Sequence, residues 1–212
     1  MPKEKKQSEK VDIEKAVEEA LRLKSELKKV IRALRKASRL DRQSASTIVY
    51  KVALADVSKV EPYIDEIIDA LKRPEGQTRW RVLQTLTLML PEKSKQCSKA
   101  LEDAEESLFD ESMGSLRLSA FIFFCEFGKT TEVRSKEVWP LIDEAIQCYH
   151  GDAEFDDMLD SLIEFSKGKL DAYVKLQLAQ RMAFDSENAT GHLKSASLQI
   201  IKNVSEVPKK SK

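Results

Sequence analysis

The chain has 212 residues, 42% of them apolar and 34% charged, and its 36 basic and 36 acidic side chains cancel. That is long enough and apolar enough to bury a core. With only six Gly, six Pro and little Val, Ile or Thr alternation, strands have little support and an all-α fold is expected. No run of about eighteen apolar residues occurs and no apolar core follows Met-Pro-Lys-Glu-Lys-Lys. Neither a membrane span nor secretion is expected, and the cytoplasm is the expected location.

Residues 1–10 are charged and aperiodic, so a disordered tail is expected there, with 11–205 as one domain and 206–212 as a second, basic tail. From Val11 to Ser38 the apolar positions Ala20, Leu23, Leu27, Val30, Ile31 and Leu34 fall at three- and four-residue steps. This spacing predicts one long amphipathic helix ending before the polar stretch Asp41–Ser46. Ala45–Asp56, with Ile48, Val49, Val52 and Leu54, is expected as its partner helix. Further helices should open at Val60-Glu61-Pro62 and Val138-Trp139-Pro140, because proline in a first turn removes no hydrogen bond.

Gln77–Leu90 lies between Gly76 and Pro91 and is read as a helix stopped by that proline; Ser94–Asp110 follows. Gly114–Phe127 is apolar nearly all round through Leu116, Leu118, Phe121, Ile122, Phe123, Phe124 and Phe127, the pattern of a helix packed on two sides at the middle of a core. Lys136–His150 and Asp152–Ser166 turn at Gly151 and Gly168. The last pair carries Leu170, Val174, Leu178 and Met182 on one helix and Leu193, Leu198 and Ile201 on the other.

Four of these segments repeat one template. Leu27–Leu34, Ile64–Leu71, Leu101–Leu108 and Ile142–Ile146 share the same apolar spacing, and their starts lie 37, 37 and 41 residues apart. A period near forty marks a helical-repeat array, in which each helix pair needs neighbours to bury its apolar face. With Pro62 and Pro140 at helix starts, the pairs Asp65-Glu66 and Asp143-Glu144, and basic residues early in second helices at Arg79, Arg81, Arg117 and Lys194, the chain resembles HEAT or armadillo-type α-solenoids over about residues 12–205. Repeat four departs from the pattern, with Asp156 and Asp157 at the comparable place, and repeat one offers Arg42 or Lys51. The resemblance implies a right-handed α-α superhelix of about five antiparallel helix pairs whose concave face holds another macromolecule.

Chemistry is sparse. There is no P-loop, GxGxxG, HExxH or GxSxG, and two histidines leave few candidates for a general base, so no enzyme is expected. Cys97, Cys125 and Cys148 form no CxxC pair, so neither a zinc site nor any cofactor is expected; Cys125 and Cys148 are read as small hydrophobes within helices. The charge is uneven: residues 1–42 hold 14 basic against 8 acidic side chains and residues 101–160 hold 4 against 16, so a neutral total hides two opposed local fields. The basic face of the first helix is carried by Lys28, Lys29, Arg32 and Lys36. The expectation is a non-catalytic scaffold module that binds a protein partner through exposed Arg42, Arg79, Arg81, Arg117 and Lys194. The rival is a nucleic-acid-binding solenoid resembling the HEAT-like DNA glycosylases, with the same five residues lining a phosphate-gripping groove.

Overall fold

A computed structural model describes residues 13–36 and 38–206, and all regular structure among them is helical. The tails expected at 1–10 and after Glu206, and the helix start at Val11, lie outside the described residues. The chain divides into two compact units, Met1–Ser107 and Leu108–Lys212.

In the first unit, helix α1 (13–22) is separated from α2 (Lys24–Ala33) by Leu23, whose extended backbone (φ −122°, ψ 112°) breaks the single long helix that the spacing predicts. Helix α3 runs over Arg39–Ala55, starting six residues before the expected Ala45 and taking in the polar residues Asp41–Ser44. The reason is a cap: Ser38 Oγ accepts from the Asp41 backbone N–H at 3.3 Å, and the Asp41 carboxylate suits the positive end of the helix. A 3₁₀ turn carrying Pro62 (Glu61–Tyr63) leads into α4 (Ile64–Asp69), as the proline predicts. Helix α5 (Gly76–Cys97) contains Pro91 instead of ending at it; the bend comes at Lys93 (φ −123°, ψ 23°), and a short helical stretch follows from Ser94. Helix α6 spans Leu101–Leu108, and its last residue opens the second unit. Helix α3 packs on α2 and α5, and α4 on α5. Between them lie Leu27, Ile31 and Leu34 of the first template, Ile67, Ile68 and Leu71 of the second, and Val52, Leu83, Leu86 and Met89 of the second helices, all buried.

The second unit contains α7 (Gly114–Gly128), α8 (Glu132–Tyr149), α9 (Phe155–Ser166), α10 (Ala172–Asn188) and α11 (Gly191–Ser205). Helix α7 packs on α8 and α9, α11 on α9 and α10, and α10 on α8. Its Leu116, Phe121, Phe123, Phe124 and Phe127 are buried, with Phe123 edge-on to Phe124 (ring centroids 5.9 Å apart) and stacked on Phe127 (6.3 Å). Helix α8 begins at Glu132, well before Pro140, because Thr131 Oγ1 caps it by accepting from the Arg134 N–H at 3.2 Å. Pro140 thus stands inside the helix. Both it and Lys136, whose carbonyl loses its helical donor, are exposed, so water can serve that carbonyl.

The buried side of α11 and the setting of Cys148 both differ from the sequence pattern. Helix α11 buries Ala196, Ser197 and Ile200, while Leu198 is 51% exposed and Leu193 and Ile201 are only half-buried. Cys148 is exposed, whereas Cys125 and Cys97 are buried; near the end of α8 the apolar side is already occupied by Ala145, Ile146 and Tyr149. Gly151, with φ +89°, supplies the left-handed turn between α8 and α9 that a residue with a side chain rarely adopts.

Candidate functional site

The basic residues near the starts of the second helices are not exposed: Arg42, Arg79, Arg81, Arg117 and Lys194 are all half-buried. Packing brings each against a partner within its own unit. Arg42 of α3 donates through Nε to Glu75 at 3.0 Å and through Nη2 to the same carboxylate, and its Nη1 bonds the Lys36 carbonyl at 2.6 Å. Glu75 is the residue just ahead of α5. Arg117 of α7 donates through Nε and Nη2 to Glu154, at 2.8 Å for Nε, and Glu154 is the residue just ahead of α9. The arginine also lies over the Tyr149 ring (4.8 Å to the centroid), while the Tyr149 hydroxyl donates to the Leu108 carbonyl at 2.8 Å. Space for this pair exists because position 114 is glycine: a Cβ there would come within 2.8 Å of a Glu154 carboxylate oxygen. Arg79 Nη2 meets Ser107 Oγ at 2.9 Å, and Lys194 Nζ the Glu187 carbonyl at 3.1 Å. Two of the arginines are therefore clamps between successive repeats, and charge-assisted bonds of this kind are the strong ones.

The Arg42 clamp carries a pH signature. The hydrogen bond from Arg42 holds the Glu75 carboxyl below its ordinary value, with burial opposing the shift. A depressed folded-state value stabilises the fold above the unfolded carboxyl's value, and that contribution is lost as pH falls through the lower folded value. Glu75→Gln is expected to be less stable than the parent at pH 7, with the difference closing below about pH 4. Urea melts at neutral and acidic pH measure it, and a difference that does not change with pH counts against the clamp.

Arg81 is built differently. Its guanidinium lies 4.2 Å from the Trp80 ring centroid and 5.0 Å from that of Tyr50, and Nη1 donates to Gln84 Oε1 at 2.8 Å. Its Nε is buried without a partner, and no other hydrogen bond to this guanidinium occurs among the described residues, so the donors left for an incoming acceptor are the Nη hydrogens that Gln84 does not take. Tyr50 reaches it because α3 packs on α5. A groove of about 480 Å³ lies on the same helices, lined by Leu40, Gln43, Ser44, Thr47 and Ile48 of α3, Gln77 of α5 and Ile13 and Ala16 of α1. Thr47 precedes Tyr50 by one helical turn, as Gln77 precedes Arg81, so groove and stack are neighbours on one face of the unit. The sequence reading found Arg81 but neither Tyr50 nor Trp80. Their residue types alone were a signal, since Trp, Tyr and Arg are the side chains that most often anchor interfaces.

Among the described residues no group of three His, Cys, Asp or Glu side chains is placed to hold a metal ion, and no helix is long and apolar enough to cross a membrane. No family model and no curated protein matches the chain. Solved structures do. An engineered protein superposes with a TM-score of 0.71 at 13% identity, covering 91% of this chain and 90% of its own. A designed armadillo repeat protein in complex with the peptide (KR)4 follows at 0.68 and 10%, covering 92% of each. The fold is a HEAT/armadillo-like helical repeat. An archaeal HEAT-like repeats protein from Thermococcus onnurineus NA1 is also similar, at 0.53 and 16%, covering 91% of this chain and 94% of its own.

Proposed function

We propose that the chain is a non-catalytic interaction module that binds a protein or peptide partner on the α3–α5 face of its first unit. The observation that carries this is the Tyr50–Arg81–Trp80 stack beside the groove. Two aromatic rings hold the guanidinium in place and leave Nη hydrogens without a partner, so little side-chain freedom is lost when a partner's carboxylate or carbonyl arrives. The amides and hydroxyls of Gln43, Gln77, Ser44 and Thr47 can bond a partner's backbone, while Leu40 and Ile13 offer apolar contact. The likeness to a designed armadillo protein that carries a peptide supports the reading at the level of fold. The rival reading, a phosphate-gripping groove built from the five basic residues, is disfavoured by geometry, since Arg42 and Arg117 are already engaged by carboxylates.

The test is affinity selection of peptides on the intact chain, followed by titration of the selected peptide against a Trp80→Ala, Arg81→Ala variant. A central anchor of this type contributes about 2 kcal/mol, so binding is expected to weaken by roughly 30-fold while the helical content of the chain is retained. Undiminished affinity in the variant removes the proposal.

A further inference from the structure

We propose that the exposed face of α2, with the turn that follows it, binds the phosphate backbone of duplex nucleic acid. This surface is separate from the α3–α5 face above and does not depend on that reading. Burial of Leu27, Ile31 and Leu34 fixes which way α2 points. Its exposed positions are Lys24, Ser25, Lys28, Lys29 and Arg32. Lys24, Lys28 and Arg32 follow at four-residue steps, so the charges climb one side of the helix at intervals of about 6 Å. Arg35, Lys36 and Arg39, all exposed, continue the row through the turn to the start of α3.

Few acids oppose them. Glu26 engages Lys29 at 2.8 Å, Asp69 engages Arg35 at 3.3 Å and Asp41 engages Lys36 at 3.3 Å. Lys24, Lys28, Arg32 and Arg39 are exposed and form no direct ion pair among the described residues; Arg39 feels only the more distant charge of Glu75, which Arg42 already engages. Because these side chains are exposed, they are available for counterion-releasing contacts with a polyanion.

The make-up of the face selects among polyanions. Within α2 no aromatic or aliphatic side chain is exposed. The face therefore lacks the stacking platform of a single-strand binder and the apolar side of a helix that lies in a membrane surface. It also lacks the aromatic centre of a protein interface, a setting in which lysine is depleted. Leu23 and Leu40 are exposed at its two ends and do not interleave its cations. A row of Lys and Arg without apolar neighbours is what sequence-independent contacts to duplex phosphates require.

The experiment titrates the full chain against a labelled DNA duplex of about 20 base pairs between roughly 0.05 and 0.2 M salt. The logarithm of the binding constant is expected to fall against that of salt with a slope of about −4, one unit for each unpaired cation. A variant with Lys24→Gln, Lys28→Gln, Arg32→Gln and Arg39→Gln should lose at least about 100-fold at 0.1 M salt and nearly all of the slope. The milder pair Lys28→Gln, Arg32→Gln should lose about tenfold and two units of slope, with the circular dichroism melt unchanged. As a control of similar charge loss, Lys167→Gln, Lys169→Gln, Lys175→Gln in the second unit should bind within about threefold of the parent. Absence of duplex binding, equal loss in the control, or tighter binding to single strands, polyglutamate or phosphatidylserine vesicles overturns the proposal.

Discussion

Phe124→Ala is expected to destabilise the second unit by about 3–5 kcal/mol, the usual range for deleting a fully buried phenylalanine. Phe124 has no exposed surface and lies edge-on to Phe123, which in turn stacks on Phe127. The cavity would open on a helix that α8 and α9 cover from two sides, leaving little room for collapse. In a unit of this size the loss corresponds to a melting temperature lower by well over about 10 °C. Thermal denaturation followed by circular dichroism measures it; a melt that matches the parent would mean that α7 is not a core helix.

The next largest effect is expected at the Arg117 clamp. Removing the carboxylate with Glu154→Ala leaves a guanidinium, only 14% exposed, without its main acceptor. The expected cost is about 2–3 kcal/mol, reduced from that of a fully buried pair because Asp152, 3.6 Å away and half-exposed, gives partial compensation. A double-mutant cycle with Arg117→Ala separates the interaction from the loss of either side chain. Coupling below about 0.5 kcal/mol would place this pair with ordinary solvent-screened surface pairs.

The apolar framework was readable because its signal is periodic. Leu34, Leu71 and Leu108 close three successive templates and all are buried, as is Tyr149, one turn past the template residues noted in the fourth. What escaped the reading were places where two local signals compete. Pro140 marks a helix start only if nothing upstream caps the chain, and Thr131 does. Asp41–Ser44 lacks the apolar spacing of a helix, yet the Ser38 cap starts the helix ahead of it. Pairings across repeats were also invisible: Glu154 sits two and three residues from the exposed Asp156 and Asp157 in the same acidic run, and only the position of Arg117 distinguishes it. Tyr50 and Arg81 are 31 positions apart in sequence and meet only because α3 and α5 pack. A pattern read along one helix cannot report that meeting.

The ties between repeats also bear on how quickly each unit can form. Arg42 reaches Glu75 across 33 residues, Arg117 reaches Glu154 across 37, Arg181 reaches Asp143 across 38 and Tyr149 reaches Leu108 across 41. Each tie closes a loop about one repeat long, so none requires distant parts of the chain to find one another before neighbouring helices have packed. Topologies of such low contact order fold in the microsecond-to-millisecond range typical of helical proteins, and a helix pair with its clamp in place is a natural nucleus from which folding spreads to the next pair.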